Sequence, residues 1–355
     1  MSSQLLNPVV NIFQQSLQPI APFTWFGLSI SSLDLLATVR LCVVLRQLRE
    51  DIAAKQLKAS GVKKSKIEVR PPSSFHFRCY PCLPAVGQFE EKSFVKDLST
   101  TLTVVYGGET MTSPLLGLTP SFMVSGVVPA LYASVQALVE ILPTVPAPSL
   151  GLELPLAVLD GFTRAYLLCN LIPPAITTHT SPVLAASPWT LLLTSLITAN
   201  GGFFLTNMFS FLHPTPLTLT TPAELQPYGW TTTDLWCAPL ITGIFALLTH
   251  AQPFWADLHV TIIGLLGGYL GDNESKFGLT AAPVDPETAR AVCAIILVGM
   301  FTTRTFKNFA GPLVFGAPAE KVGAGSKTVA SYPSPSGKQL TASTRCKMYF
   351  LFGYP

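Results

Sequence analysis

The sequence predicts an all-α integral membrane protein with about seven transmembrane helices, arranged as two inverted three-helix repeats followed by a seventh helix. Three observations predict this. The chain of 355 residues is 49% hydrophobic and only 12% charged, with a mean hydropathy of +0.45, whereas soluble domains carry about 25% charged residues. Its apolar residues gather into runs of about 20, the length that crosses a bilayer. A Gly-Gly segment also occurs twice, in matched surroundings.

Seven apolar runs fall at approximately residues 24–45, 98–118, 121–142, 154–176, 189–212, 234–256 and 288–306. The first basic residue is Arg40, so the charged start of a secretory signal is missing and the first span is expected to act as its own insertion signal. The loop 49–97 reads in two parts. "RQLREDIAAKQLKASGVKKSKIEVR" looks like the first helix continuing out of the membrane, and the prolines of "PPSSFHFRCYPCLPAV" oppose helix. His76, Cys79 and Cys82 in that loop have a spacing that suits a metal or redox pair. They lack a fourth ligand and read as loop cysteines kept reduced. The run 258–271 is an eighth apolar stretch but a short one, suited to extending the sixth span, re-entering the membrane or lying on its surface. The transmembrane domain is thus expected over 1–312, and the basic, Ser/Thr/Gly-rich tail 313–355 to be mostly disordered.

Charge sets the orientation. Between Arg46 and Asp97 there are 11 Lys/Arg against 6 Asp/Glu, and from Arg304 onward 7 Lys/Arg against Glu320 alone. The region 257–290 holds Lys276 and Arg290 against five acids. Basic loops stay cytoplasmic, so the loop 49–97 and the tail share that side. Seven spans with a lumenal N-terminus satisfy this; an eighth would not. Trp189, Trp230, Trp236 and Trp255 sit near span ends, as interface anchors do. His250 closes the sixth span and reads as a hydrogen-bonding anchor.

The repeat is the second layer of the reading. In "VVYGGETMTSPLLGL" (104–118) and "ITANGGFFLTNMFSF" (197–211), Gly107 matches Gly201, Gly108 matches Gly202, Thr112 matches Thr206 and Ser113 matches Asn207 without gaps. The preceding spans also correspond: "SLDLLATVRL" carries Asp34 and Arg40, "VLDGFTRAYL" carries Asp160 and Arg164. Each unit has three spans, so the second enters the membrane from the opposite side. Inverted repeats place a substrate or ion site near the midplane, where helices are interrupted. The glycine pairs are therefore expected to break their helices beside a polar path lined by Thr112, Ser113, Asn200, Thr206 and Asn207; close packing of small residues is the competing reading. Asp34, Arg40, Asp160 and Arg164 are expected as intramembrane charges facing the bundle interior. Asp160 and Arg164, four apart, can pair along one face, whereas Asp34 and Arg40 need partners elsewhere. Pro173 and Pro174 should end or kink their helix near Ile172.

Taken in order, "YGGETMTSPLLGLTP", "LDGFTRAYLLCNLIPPA", "WTLLLTSLITANGGFFLTNMFSFL", "GIFALLTHAQPFW" and "ILVGMFTTRTFKNFAGP" resemble the trimeric intracellular cation (TRIC) channel family over approximately residues 22–312, apart from the loop 49–97 and the stretch 257–287. The resemblance implies a homotrimer in an endoplasmic-reticulum-like or nuclear membrane. Each subunit would have its own potassium-permeable pore, passing monovalent cations as counter-ion flux. The family's animal members carry a basic fourth-span signature that binds anionic lipid; "DGFTR" keeps its arginine as Arg164, with Asp160 near the place of its lysine. No cofactor is expected beyond such a lipid, and no nucleic-acid partner. The residues alone also suit a secondary transporter or a non-conducting membrane scaffold. No P-loop, HExxH or G-x-S-x-G motif occurs, so an enzyme is not expected.

Overall fold

The computed structural model describes residues 3–24, 28–59, 93–214, 217–226, 232–270 and 282–314. Among these the chain is helical, with a single isolated bridge between Pro19 and Ser31 in place of any sheet. The main helices are α1 (Ser3–Ser16), α2 (Ser32–Ala59), α3 (Phe94–Leu116), α4 (Val127–Ile141), α5 (Leu150–Tyr166), α6 (Pro188–Met208), α7 (Thr233–Thr249), α8 (Pro253–Leu270) and α9 (Pro286–Val314). His76, Cys79, Cys82, Trp230 and residues 315–355 of the tail lie outside the described residues.

All seven expected spans fall on helices, but fewer pass as spans on length and composition. Pro188–Met208 and Pro286–Phe309 are long and apolar enough to cross a membrane; Thr233–Thr249 with Pro253–Leu265 forms a third candidate, bent by 80°. The remainder are shorter or more polar. At 1.5 Å per residue, α4 with its 15 residues is too short to cross about 30 Å of hydrocarbon. The short apolar run after the sixth span is therefore a full helix, α8, turned sharply from α7. The outer surface is apolar, with Leu138 65% and Ile141 78% exposed; an apolar exterior of this kind suits lipid. Trp189 and Trp236 are exposed, but Trp255 is buried and donates from Nε1 to Gln252 Oε1 at 3.0 Å. It therefore packs the bend instead of anchoring an interface.

Helix ends follow local chemistry. Ser187 caps α6 by accepting from the Thr190 N–H, with Pro188 following it in the first turn. Gly117 closes α3 at φ 64°, with Gly117 N–H on Pro114 O and Leu118 N–H on Ser113 O. Arg46 supplies donors to the carbonyl end of α4, reaching Leu142 O at 2.8 Å and Val139 O. Asp34, expected as an intramembrane charge, is a capping residue: its Oδ2 accepts from the Ser31 N–H at 3.1 Å and the Ser31 hydroxyl at 2.7 Å.

The glycine pairs do not break their helices, and here the sequence expectation is corrected. α3 and α6 run through them without interruption. The pairs instead press against each other. A Cβ on Gly107 would lie 2.9 Å from Gly202 Cα, and one on Gly201 would lie 2.8 Å from Gly108 Cα. A Cβ on Gly108 would fall 2.1 Å from Thr198 O, and one on Gly202 2.0 Å from Val104 O. Numbers rise on one helix as they fall on the other, so the crossing is antiparallel. Each contact becomes its partner under the shift that carries Gly107 to Gly201, so the crossing is self-complementary. The breaks fail for a physical reason: with no Cβ the two backbones come into contact, and dispersion over that surface favours straight helices. Gly161 does the same for α5, where a Cβ would meet Val298 N at 2.9 Å on α9.

Three of the expected path residues bond back to their own helices. Thr112 donates to Gly108 O at 3.1 Å, Thr206 to Gly202 O at 2.9 Å, and Asn200 Nδ2 to Leu196 O at 2.8 Å. Ser113 is buried, and Asn207 O accepts from the Thr220 hydroxyl at 2.7 Å. Thr112 also meets the Thr198 hydroxyl across the crossing at 3.1 Å, and the buried Asn207 Nδ2 has no partner among the described residues; because both helices run on unbroken, these residues do not surround a helix break.

The real irregularity lies one turn beyond Arg164. Residues Leu167–Leu171 form a π-turn before helix resumes at Ile172–Thr177. Pro173 and Pro174 have no N–H to give, so regular bonding cannot continue through them. The Ile172 N–H shifts to Leu167 O, and the carbonyl of Leu168 is freed. Thr242 on α7 donates its hydroxyl to that carbonyl at 3.3 Å, in a fully buried setting. Replacing Thr242 by Val is expected to cost about 1–3 kcal/mol, the penalty of a buried unpaired carbonyl. Thermal unfolding of the purified variant checks this, and an unchanged midpoint would mean that the hydroxyl contributes nothing.

Candidate functional site

Six charged side chains meet inside the bundle. Arg40 on α2 donates from Nη2 to Glu153 Oε2 at 2.7 Å, and the same nitrogen lies 3.6 Å from Asp160 Oδ2. Arg164, one turn past Asp160 on α5, stands 4.0 Å from Asp234 Oδ1 at the start of α7. Arg304 on α9 reaches both oxygens of Asp234, at 3.0 and 3.1 Å. Arg164 and Arg304 both lie over the Phe301 ring, at 5.9 and 4.8 Å from its centroid. Arg40, Glu153 and Asp234 are each less than a tenth exposed. Three guanidinium groups and three carboxylates alternate, and the set is neutral. That balance is what burial demands: an isolated charge would cost several kcal/mol to desolvate, while opposite neighbours and cation–π contact offset part of it.

A cavity of about 210 Å³ opens beside this set, bordered by Arg40, Tyr132, Asp160, Thr163, Arg164 and Leu167. Its walls come from both repeats: α2 and α4 of the first, and α5 and its π-turn, with Ala199 on α6, of the second. It adjoins the glycine crossing, since Ala199 follows Thr198. Of the charges expected from sequence, Arg40, Asp160 and Arg164 come together here, and Asp34 does not. Three members do not stand out in the sequence: Glu153, Asp234 and Arg304. Glu153 and Asp234 stand near helix starts, where an acid also fits the helix dipole, and Arg304 stands near the end of the last span. Each looks interfacial in sequence, and only the ion pairs across α2, α5, α7 and α9 bring them together.

A second polar group fastens the first repeat. Arg49 pairs with Asp97 and with Glu140 (2.6 Å), while Gln136, fully buried, donates to Glu140 at 2.8 Å and accepts from the Thr101 hydroxyl at 2.9 Å. The described residues contain no group of three or more His, Cys, Asp or Glu arranged to hold a metal.

No family model matches the chain, and searches of curated proteins and of solved structures return no match.

Proposed function

We propose that the chain is a monovalent-cation channel of an intracellular membrane, a divergent protein of TRIC type with seven spans and one path in each subunit. The observation that carries this reading is the charged cavity shared by the two repeats. Inverted repeats put an ion site at their interface, and intramembrane charges that face a cavity mark ion routes by default. The antiparallel glycine crossing supports an inversion between the repeats. Basic residues in the loop 49–97 and the tail support a cytoplasmic position for both and a lumenal N-terminus. A homotrimer in the endoplasmic reticulum or nuclear envelope, potassium as the carried ion and a bound anionic lipid belong to the same proposal. The path runs beside the glycine crossing and not through it, because that crossing is closed by backbone.

In this reading Arg164 raises the barrier to a cation and Asp160 lowers it. Asp160→Asn is therefore expected to reduce single-channel conductance, or cation selectivity, by at least twofold in planar bilayers. Asp34→Asn should leave both unchanged and cost little stability, because an amide oxygen can accept from Ser31 at the helix start as the carboxylate does. Equal, negligible effects of the two changes on current would leave the charged set purely structural. Saturable flux without unitary steps would favour an alternating-access transporter, and no flux at all a scaffold.

A further inference from the structure

A second cavity lies apart from the central one. It holds about 500 Å³ and lies between the far part of α2, the α4–α5 connection and the end of α9. We propose that it is a binding site for a small organic cation: an ammonium head on a compact apolar body. This goes beyond the channel reading and does not depend on it.

Size is the first argument. Small-molecule sites measure roughly 300–1,000 Å³ and are mostly apolar with a few placed polar groups. Here Leu48, Val145, Pro146 and Phe309 provide the apolar wall. Charge is the second. The lining carries three carboxylates, Glu50, Asp51 and Glu153, against one guanidinium, Arg304, and Arg304 is engaged with Asp234 at 3.0 Å. Asp51 pairs with Lys55 on the exposed part of α2, where solvent weakens such a pair, and Glu50, itself half exposed, pairs with the buried Arg46. An anion is disfavoured by this lining, and a purely apolar guest would leave its acids unanswered.

Unmet hydrogen-bonding capacity is the third. Glu153 is 2% exposed, and only its Oε2 is held by Arg40; Oε1 has no partner. Gln47 is fixed by its amide nitrogen donating to Pro146 O at 2.6 Å, and its Oε1 is also unpartnered. An acceptor left unpaired in a buried setting is costly. An ammonium group carries three donors and no acceptor, which is the complement of a carboxylate and an amide oxygen lining one cavity. Glu153 borders this cavity while its partner Arg40 borders the central one. A cation on Glu153 therefore competes with Arg40 for one carboxylate, and binding at the outer cavity is felt at the inner.

The test uses the full chain in lipid nanodiscs, with cyclohexylammonium as the probe and cyclohexanol and cyclohexanecarboxylate as matched neutral and anionic controls. Calorimetric titration is expected to give one saturable site per chain for the ammonium, with the neutral control at least tenfold weaker and the anion silent. Ala147 lies on the exposed rim of the cavity, so Ala147→Trp should plug it without disturbing the core and weaken binding at least tenfold. Gln47→Leu, which removes the amide acceptor and leaves Glu153 in place, should weaken it several-fold. Equal affinity for cyclohexanol and cyclohexylammonium would overturn the proposal, as would ammonium binding unchanged by Ala147→Trp.

Discussion

Gly202→Ala and Gly108→Ala are each expected to destabilise the protein by about 3 kcal/mol or more, at or above the upper end for overpacking. The added methyl carbon would sit 2.0 Å from Val104 O in one case and 2.1 Å from Thr198 O in the other. A carbonyl oxygen in a helix cannot swing aside as a side chain can, so the helices themselves must separate. Gly201→Ala and Gly107→Ala should cost less, since their nearest backbone atoms lie 2.8 and 2.9 Å away. The order of effects is thus a fingerprint of the crossing. It runs against the sequence expectation that these glycines break their helices beside a polar path. Thermal unfolding and size-exclusion profiles of the four single variants decide the matter. Alanine at 108 or 202 with unchanged stability would mean that the helices are not held at this distance.

Arg40→Met carries the second large effect, a loss of about 3–5 kcal/mol. It leaves Glu153 buried without the guanidinium 2.7 Å away, and breaking a buried pair from one side strands the remaining charge. The double variant Arg40→Met with Glu153→Leu should recover most of that loss, because replacing a whole buried pair by apolar groups is often close to neutral. Asp160 keeps the recovery incomplete: it too loses Arg40, although Arg164 remains one turn away on its own helix. A double-mutant cycle on unfolding free energies isolates the coupling. If the single variant proves as stable as the double one, the pair does not hold the site together.

Helix placement was largely legible in the sequence, because apolar runs mark buried or lipid-facing helices whatever their partners, even though only two or three have the length and composition of a span. α1 was not. "SQLLNPVVNIFQQS" is too short and too polar to read as a span, yet Phe13 is 1% exposed, stacks on Phe162 at 5.6 Å between ring centroids and lies under the Arg290 guanidinium. The matched glycines were legible as a repeat but misread as breaks. Glycine permits a bent helix and a close crossing equally well, and the backbone that decides between them lies some 90 residues away in the chain. The true break was half visible: Pro173 and Pro174 marked its place, while the Thr242 hydroxyl that makes it tolerable belongs to another helix. The site was legible in the same partial way. Arg40, Asp160 and Arg164 stand out because charge is rare in apolar runs. Glu153, Asp234 and Arg304 sit at run ends, where charge is ordinary.

The glycine crossing has one more consequence, for assembly. Surfaces that match themselves under a two-fold rotation are the usual means by which two identical chains join. In this chain the two copies of such a surface are covalently linked and already face each other, so the valence of that surface is filled within one molecule. The Gly107–Gly108 and Gly201–Gly202 faces have nothing left to offer a neighbouring subunit. Any higher-order assembly must be built from different faces, and those are free to change without disturbing the one that closes the monomer.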